Sequence, residues 1–204
     1  ATGSSDQTIR LWDAATGKTL RIFKGHRGAV WNVRFGPRGR RLVSAGHDGT
    51  IRLWNLATGQ QERLLTGHRG DAYDAHLSPD GKQVISAGND HTLRVWRLDA
   101  PQAKPRITRL PGRSYFLDPD PTHQRVAVAV TDGVVRLWNP ATGALTLLGR
   151  HRGEVNVVRL SPQGDAVAST SPPARRTNWL AACPTPPAAE CTSTRSPGDT
   201  GAST

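Results

Sequence analysis

An all-β chain of repeated four-stranded antiparallel sheets is predicted by three features of this 204-residue sequence. Tryptophan recurs at a fixed interval: Trp12, Trp54, Trp96 and Trp138 are separated by 42, 42 and 42 residues. Each lies in one alternating phrase, read as DQTIRLWD, DGTIRLWN, DHTLRVWR and DGVVRLWN. Turn-forming clusters return in the same phase: Gly36-Pro37-Arg38-Gly39, Ser78-Pro79-Asp80-Gly81 and Ser161-Pro162-Gln163-Gly164. Self-similarity with a period of roughly 20–50 residues marks a stack of supersecondary units.

The unit that opens at His26 shows why each element forms. Residues 30–35 read as a first strand, ended by the Pro-Arg-Gly turn. Residues 42–45 read as a second, and Asp48-Gly49 as the tight turn after it. Residues 51–54 alternate apolar and polar side chains as a third strand, and 61–65 are the fourth, ended by Gly67. An Ala-Thr-Gly triplet follows three of the four tryptophans, at Ala15-Thr16-Gly17, Ala57-Thr58-Gly59 and Ala141-Thr142-Gly143. One such sheet cannot bury both of its faces. Stacking against the next copy does so, and radial stacking gives a propeller. The repeats divide residues 1–170 into a partial blade at 1–24, blades at 25–66 and 67–108, a degenerate blade at 109–148 and a partial blade at 149–170.

With Gly25-His26 and Gly67-His68, the Ser-Pro-Asp-Gly turn and the Asp-x-Thr-Ile-Arg-Leu-Trp-Asp phrase, residues 1–170 resemble the WD40-repeat family. The resemblance implies a hydrogen-bonded tetrad in each blade: His26, Ser44, Asp48 and Trp54, then His68, Ser86, Asp90 and Trp96. The chemistry suits these residue types, because a carboxylate and a hydroxyl can satisfy both nitrogens of a buried imidazole. In the next blade Asp132 and Trp138 remain, while Leu110 and Val128 replace the His and Ser. The terminal halves are complementary, with Asp6 and Trp12 in one and His151 and Ser169 in the other. Three arrangements are open: a fragment of a larger ring, a dimer of two such chains that completes the propeller by self-association, or intramolecular joining of the halves into a composite blade. The missing methionine is in keeping with the first.

Composition removes several function classes. No run of apolar residues is long enough for a spanning helix, and no basic segment precedes an apolar run of the kind a secretory signal carries. The two cysteines cannot build a disulfide scaffold. His47, His76, His91 and His123 show no metal-ligand spacing, and neither a phosphate-binding loop nor a nucleophile elbow is present. The reading is a non-enzyme without cofactor or metal, cytoplasmic and not bound to membrane. The +11 charge comes from 23 arginines and four lysines spread along the chain. Coding bias accounts for that, so nucleic acid is an alternative partner only.

The tail departs from the repeat. Residues 171–204 hold six of the 15 prolines and both cysteines, Cys183 and Cys191, and contain no Val, Ile or Phe. Such a composition cannot bury a core and predicts a disordered segment with free thiols, as an out-of-frame or truncated end would give.

Function is expected on the loops at the rims of the blades. Trp31, Tyr73 and Tyr115 share one phase, spaced 42 and 42. By resemblance this phase opens the innermost strand near the face where family members grip partners. The rings either anchor a protein or peptide partner or wedge neighbouring blades together. Arg27, Arg69 and Arg152 each follow a tetrad histidine in the loop before that strand. They would favour an acidic or phosphorylated peptide, or else they are a solvated rim. The strand arginines Arg10, Arg52, Arg94 and Arg136 are read as cover for the blade surface. The leading function is therefore a protein-interaction scaffold. The alternatives are polyanion or nucleic-acid binding through the arginine rims, and a sensory module of a longer signalling enzyme.

Overall fold

The computed structural model describes residues 1–170 and the backbone of the strand Ala181–Pro184. The remainder of the tail lies outside the described residues, and with it the expectations of disorder and of free thiols.

Among the described residues, five antiparallel sheets follow one another in chain order. The first holds β1 (Thr2–Gly3), β2 (Thr8–Trp12) and β3 (Thr19–Lys24). The second holds β4 (Val30–Phe35), β5 (Arg41–Gly46), β6 (Ile51–Asn55) and β7 (Gln61–Leu65). The third holds β8 (Ala72–Leu77), β9 (Gln83–Gly88), β10 (Thr92–Arg97) and β11 (Arg106–Arg109). The fourth holds β12 (Phe116–Pro119), β13 (Val126–Ala129), β14 (Val134–Trp138) and β15 (Leu145–Arg150). The fifth holds β16 (Val157–Leu160), β17 (Ala166–Thr170) and β18 (Ala181–Pro184).

Each sheet is a blade of a β-propeller, and the first strands β4, β8, β12 and β16 adjoin in turn along the hub. Two differences from the sequence reading stand out. The first blade has a third strand, because Thr2 and Gly3 pair with Arg10 and Ile9. The last blade gains β18, paired from Ala166↔Pro184 to Ser169↔Ala181, inside the segment predicted to lack structure. The terminal halves occupy separate sheets, so no composite blade is formed.

Period-two alternation sends successive residues of one strand into different cores. Leu42 and Trp54 meet Ile9 and Phe23 between the first and second blades. Their neighbours Val43, Ile51 and Leu53 meet Ala75, Val84 and Trp96 between the second and third. Ile85, Leu93 and Val95 pack with Leu117, Val128 and Trp138 across the next interface. Ala127, Ala129 and Val135 pack with Val155, Val158 and Val167 across the last. The turns that reverse the second strand onto the third need a left-handed residue. Gln7, Gly49, His91 and Gly133 fill that place with φ of 69°, 70°, 57° and 80°.

Hydrogen bonds pin each complete blade from within. His26 Nδ1 lies 3.0 Å from Asp48 Oδ1 and Nε2 lies 2.8 Å from Ser44 Oγ, while Trp54 Nε1 donates to the same hydroxyl at 2.9 Å. The second set repeats this, with His68 2.9 Å from Asp90 and 2.8 Å from Ser86, and Trp96 donating to Ser86 at 2.9 Å. Burial opposes the charge on Asp48. The Arg27 N–H, the Thr50 hydroxyl and His26 outweigh it and hold the carboxyl at about 2. Asp90 is likewise lowered: burial opposes its charge, while Thr92, His68 and the Arg69 N–H favour it. Burial pushes both imidazoles below 6.5, only partly offset by their aspartates.

The fourth blade solves the problem differently. Asp132 keeps the strand-arginine partner that Asp48 and Asp90 also have, Arg136 at 2.9 Å, and Trp138 Nε1 donates to Thr108 Oγ1 at 3.3 Å where the second and third blades use a serine. In the partial blades His151 Nε2 lies 2.7 Å from Ser169 Oγ, and Trp12 Nε1 donates to Thr2 Oγ1 at 2.8 Å. Thr2 precedes Trp12 by 10 residues, the same interval that separates Ser44 from Trp54 and Ser86 from Trp96. Asp6 accepts a hydrogen bond from the Thr8 hydroxyl at 2.6 Å. Asp6 and Trp12 therefore do not join His151 and Ser169, which stand in another sheet.

Three outcomes are expected. Phe23 is 2% exposed and packs edge-on to Trp54 with centroids 5.6 Å apart, so Phe23→Ala should cost about 3–5 kcal/mol in urea unfolding. Asp48→Ala should cost about 1–3 kcal/mol, because it strips a buried histidine of its partner. The third concerns pH. The unfolded chain protonates both imidazoles near 6.5, where the folded chain does not. Stability is therefore complete above that pH and falls below it. A second loss begins near 3.8, where the unfolded aspartates take protons, and runs down through the folded value of about 2 for Asp48. Circular-dichroism melts should show Tm falling from about pH 7 to about pH 5; a flat profile there would contradict neutral tetrad histidines.

Candidate functional site

The strands β4, β8 and β12 bring Trp31, Tyr73 and Tyr115 to the same end of the hub. Trp31 is the second residue of β4, Tyr73 the second of β8, and Tyr115 immediately precedes β12. Adjacent inner strands carry these rings into contact. Trp31 and Tyr73 have centroids 6.5 Å apart, inclined at 51°, and Tyr73 and Tyr115 lie edge-to-face at 4.7 Å. Trp31 remains 52% exposed, whereas both tyrosines are half-buried. The row thus does two things at once. Its tyrosines pack blade against blade, and its tryptophan projects to solvent.

Polar groups fix the row in place. Tyr73 Oη donates to Asn89 Oδ1 at 3.3 Å. Burial, then Asp71 and Tyr115, raise the Tyr73 phenol above its ordinary value, so it stays a neutral donor. His47 stands edge-on to Trp31 at 6.2 Å, and its Nδ1 lies 2.9 Å from Asp71 Oδ1. Arg113 is exposed in the loop before β12, and the neighbouring Tyr115 phenol raises its guanidinium above the usual value. His47, Asn89 and Arg113 were not among the residues singled out from the sequence. The arginine phase set by Arg27 and Arg69 lands on Pro111, and Arg113 supplies the cation two residues later.

Arg27, Arg69 and Arg152 are exposed, and their side chains make no hydrogen bond or ion pair among the described residues. The backbone N–H groups of Arg27 and Arg69 do have partners, donating to Asp48 at 2.8 Å and to Asp90 at 3.1 Å. The side chains form a cationic rim near the row without touching its rings. The strand arginines behave otherwise. Arg52, Arg94 and Arg136 pair with Asp48, Asp90 and Asp132 of their own blades, and Arg10 pairs with Asp6 at 3.3 Å.

Farther along the hub lies a second constellation. Arg34 and Arg159 place their guanidinium carbons 5.1 and 4.2 Å from the Phe116 ring centroid. Asp74, fully buried, accepts from the Leu117 N–H of the next blade at 3.0 Å, and Asp118 accepts from the Leu160 N–H at 2.7 Å. Arg34 lies 3.7 Å from Asp74, and Arg159 4.0 Å from Asp118. Charges balance here, so the constellation fastens blades together and is not a site. Among the described residues no group of three or more His, Cys, Asp or Glu could hold a metal ion.

Comparison with known proteins agrees with this architecture. The family described as WD domain, G-beta repeat matches residues 1–13, 17–55 and 59–97. Among similar proteins, a Lissencephaly-1 homolog of Heterostelium pallidum is 46% identical over 46 residues, 22% of this chain and 11% of the relative. Transcription initiation factor TFIID subunit 5 of Caenorhabditis elegans is 46% identical over 44 residues, covering 22% of this chain and 7% of the relative. Nuclear distribution protein PAC1 of Mycosarcoma maydis is 46% identical over 44 residues, covering 22% and 10%. The chain therefore matches only about a tenth of the length of these relatives. Sheets, turns, tetrads and repeat matches converge on one conclusion: the chain is a β-propeller built of repeats similar to those of the WD40 family, whose model matches it at residues 1–13, 17–55 and 59–97.

Proposed function

We propose that the chain is a protein-interaction scaffold whose aromatic row anchors a peptide or domain of another protein. The observation that carries this reading is the continuous contact of Trp31, Tyr73 and Tyr115 at one end of the hub, with Trp31 52% exposed. Large rings fixed by their neighbours lose little entropy on binding and suit interface anchors. Arg27, Arg69 and Arg113 are exposed in the loops that lead into the three ring-bearing strands, and Arg152 in that of the next blade, which favours an acidic segment and steers its approach. One relative is by name a subunit of a larger assembly, in keeping with such a role. On this reading the chain binds without catalysing, in the cytoplasm. Among the described residues no helix is long and apolar enough to cross a membrane.

Polyanion binding is the weaker reading. The strand arginines are neutralised by aspartates of their own blades, and Arg21 and Arg106 donate to the backbone carbonyls of Thr58 and Pro140 at 2.8 and 2.9 Å. The exposed cations that remain, among them Arg27, Arg40, Arg69, Arg109 and Arg152, are spread along the chain.

The test uses the immobilised chain beside its Trp31→Ala, Tyr73→Ala variant, with captured proteins quantified by mass spectrometry. Truncating anchor rings typically costs about 2 kcal/mol or more, so capture should fall by roughly tenfold or more; Trp31→Ala alone, whose ring projects to solvent, should weaken capture while the melting temperature hardly moves. Equal capture by both forms would sink the reading. A yield lost steeply with salt and abolished by nuclease treatment of the input would favour the polyanion alternative.

A further inference from the structure

At the opposite ends of the same strands the repeat is broken twice, and both breaks line one cleft. The first break is the connection between β10 and β11. Its eight residues, 98–105, replace the Ala-Thr-Gly turn found in three other blades. The second is the turn after β12. The Asp120 carbonyl accepts from the residue 123 N–H at 2.9 Å, as Ser78 does from Gly81 and Ser161 from Gly164, both at 2.8 Å. Histidine stands where those turns place glycine. His123 has φ 57°, against 70° at Gly81 and 71° at Gly164. Non-glycine residues are uncommon in that region, and such outliers gather at functional sites.

Between these two departures lies a cleft of about 820 Å³, within the range of roughly 300–1,000 Å³ that holds ligands. Its walls include Val95, Arg97, Lys104, Arg106, His123 and Asp80. Three of these are cations and one is an anion. Arg97 is engaged with Asp99 at 3.2 Å, and Arg106 with backbone carbonyls of Pro140 and Ala141. Lys104 is exposed and unpaired among the described residues. The His123 ring lies 6.4 Å from that of His76, and its buried Nδ1 has no hydrogen-bond partner among the described residues. Burial, then the charge His76 would carry, push His123 down to about 4, so it is neutral at physiological pH. With Nδ1 buried, the half-buried ring has its other nitrogen to offer a peptide group, as donor or acceptor according to tautomer, and the apolar wall at Val95 suits an aliphatic side chain.

We propose that this cleft is a second binding site, which takes a short acidic, partly aliphatic peptide segment of another protein. Lys104 meets a carboxylate, and His123 meets the peptide backbone. The inference is independent of the aromatic row, which lies at the other end of β8 and β12.

The probe is a fluorescein-labelled octapeptide of alternating glutamate and leucine, titrated against the full chain by anisotropy. Saturable binding is expected, weakened about fivefold or more by Lys104→Glu. His123→Gly should weaken it while keeping or raising the melting temperature, because glycine relaxes the turn. The Trp31→Ala, Tyr73→Ala variant should bind the probe as the parent does. The proposal is overturned if the parent shows no saturable binding, or if both cleft variants bind unchanged. It also fails if the ring variant loses the probe, which would assign it to the other face. Displacement by a single-stranded oligonucleotide at lower concentration than by unlabelled peptide would assign the cleft to nucleic acid instead.

Discussion

No sheet in this molecule can be stable alone, because period-two alternation gives each one two apolar faces and its own strands can cover neither. Leu42 and Trp54 look one way and Val43 and Leu53 the other, each into a different core. The remaining features follow from that constraint. Blades must lie face to face, connections must be short and placed at the rims, and the side chains free for other molecules are those at strand ends. Burial at about 25 cal/mol per Å² of apolar surface provides the driving force. The hydrogen-bonded sets within each blade provide its orientation.

The fourth blade shows how tolerant this arrangement is. Replacing the tetrad histidine and serine by Leu110 and Val128 removes two polar partners together, so no donor or acceptor is left stranded. Both replacements are buried, Val128 completely and Leu110 at 7% exposure, and both join the core with Trp138. The carboxylate of Asp132 loses its histidine but keeps the Arg136 partner, as Asp48 keeps Arg52 and Asp90 keeps Arg94. Exchanging a polar set for apolar bulk is nearly neutral when both partners leave at once, whereas removal of one is costly.

Much of the fold was legible because it is written in local spacing. The period, the turns, strands Val30–Phe35 and Gln61–Leu65, and the aromatic phase all lie within one repeat length. What escaped was carried by geometry between repeats or by departures from them. Thr2 does the work of a tetrad serine, but nothing adjacent to it in sequence marks it as part of a strand. Arg113 reaches Tyr115 from a position where the repeat offers no arginine. The cleft was invisible because loop 98–105 and His123 read as noise against the consensus until packing brought them together. Strand β18 arises where composition alone argued against order, since pairing with β17 supplies partners that local sequence cannot.

Phe116 couples blades that are not neighbours. It belongs to the fourth blade, yet its ring is flanked by a guanidinium from the second and another from the fifth. Stacked repeats coupled only to their immediate neighbours can fray from either end, one unit at a time. A side chain held by blades two apart links events that would otherwise be separate: loosening the second blade also releases a contact on the fourth. Melting of this stretch should accordingly be sharper than a nearest-neighbour chain of equal length would show, with the hub, and not the rims, setting the size of the cooperative unit.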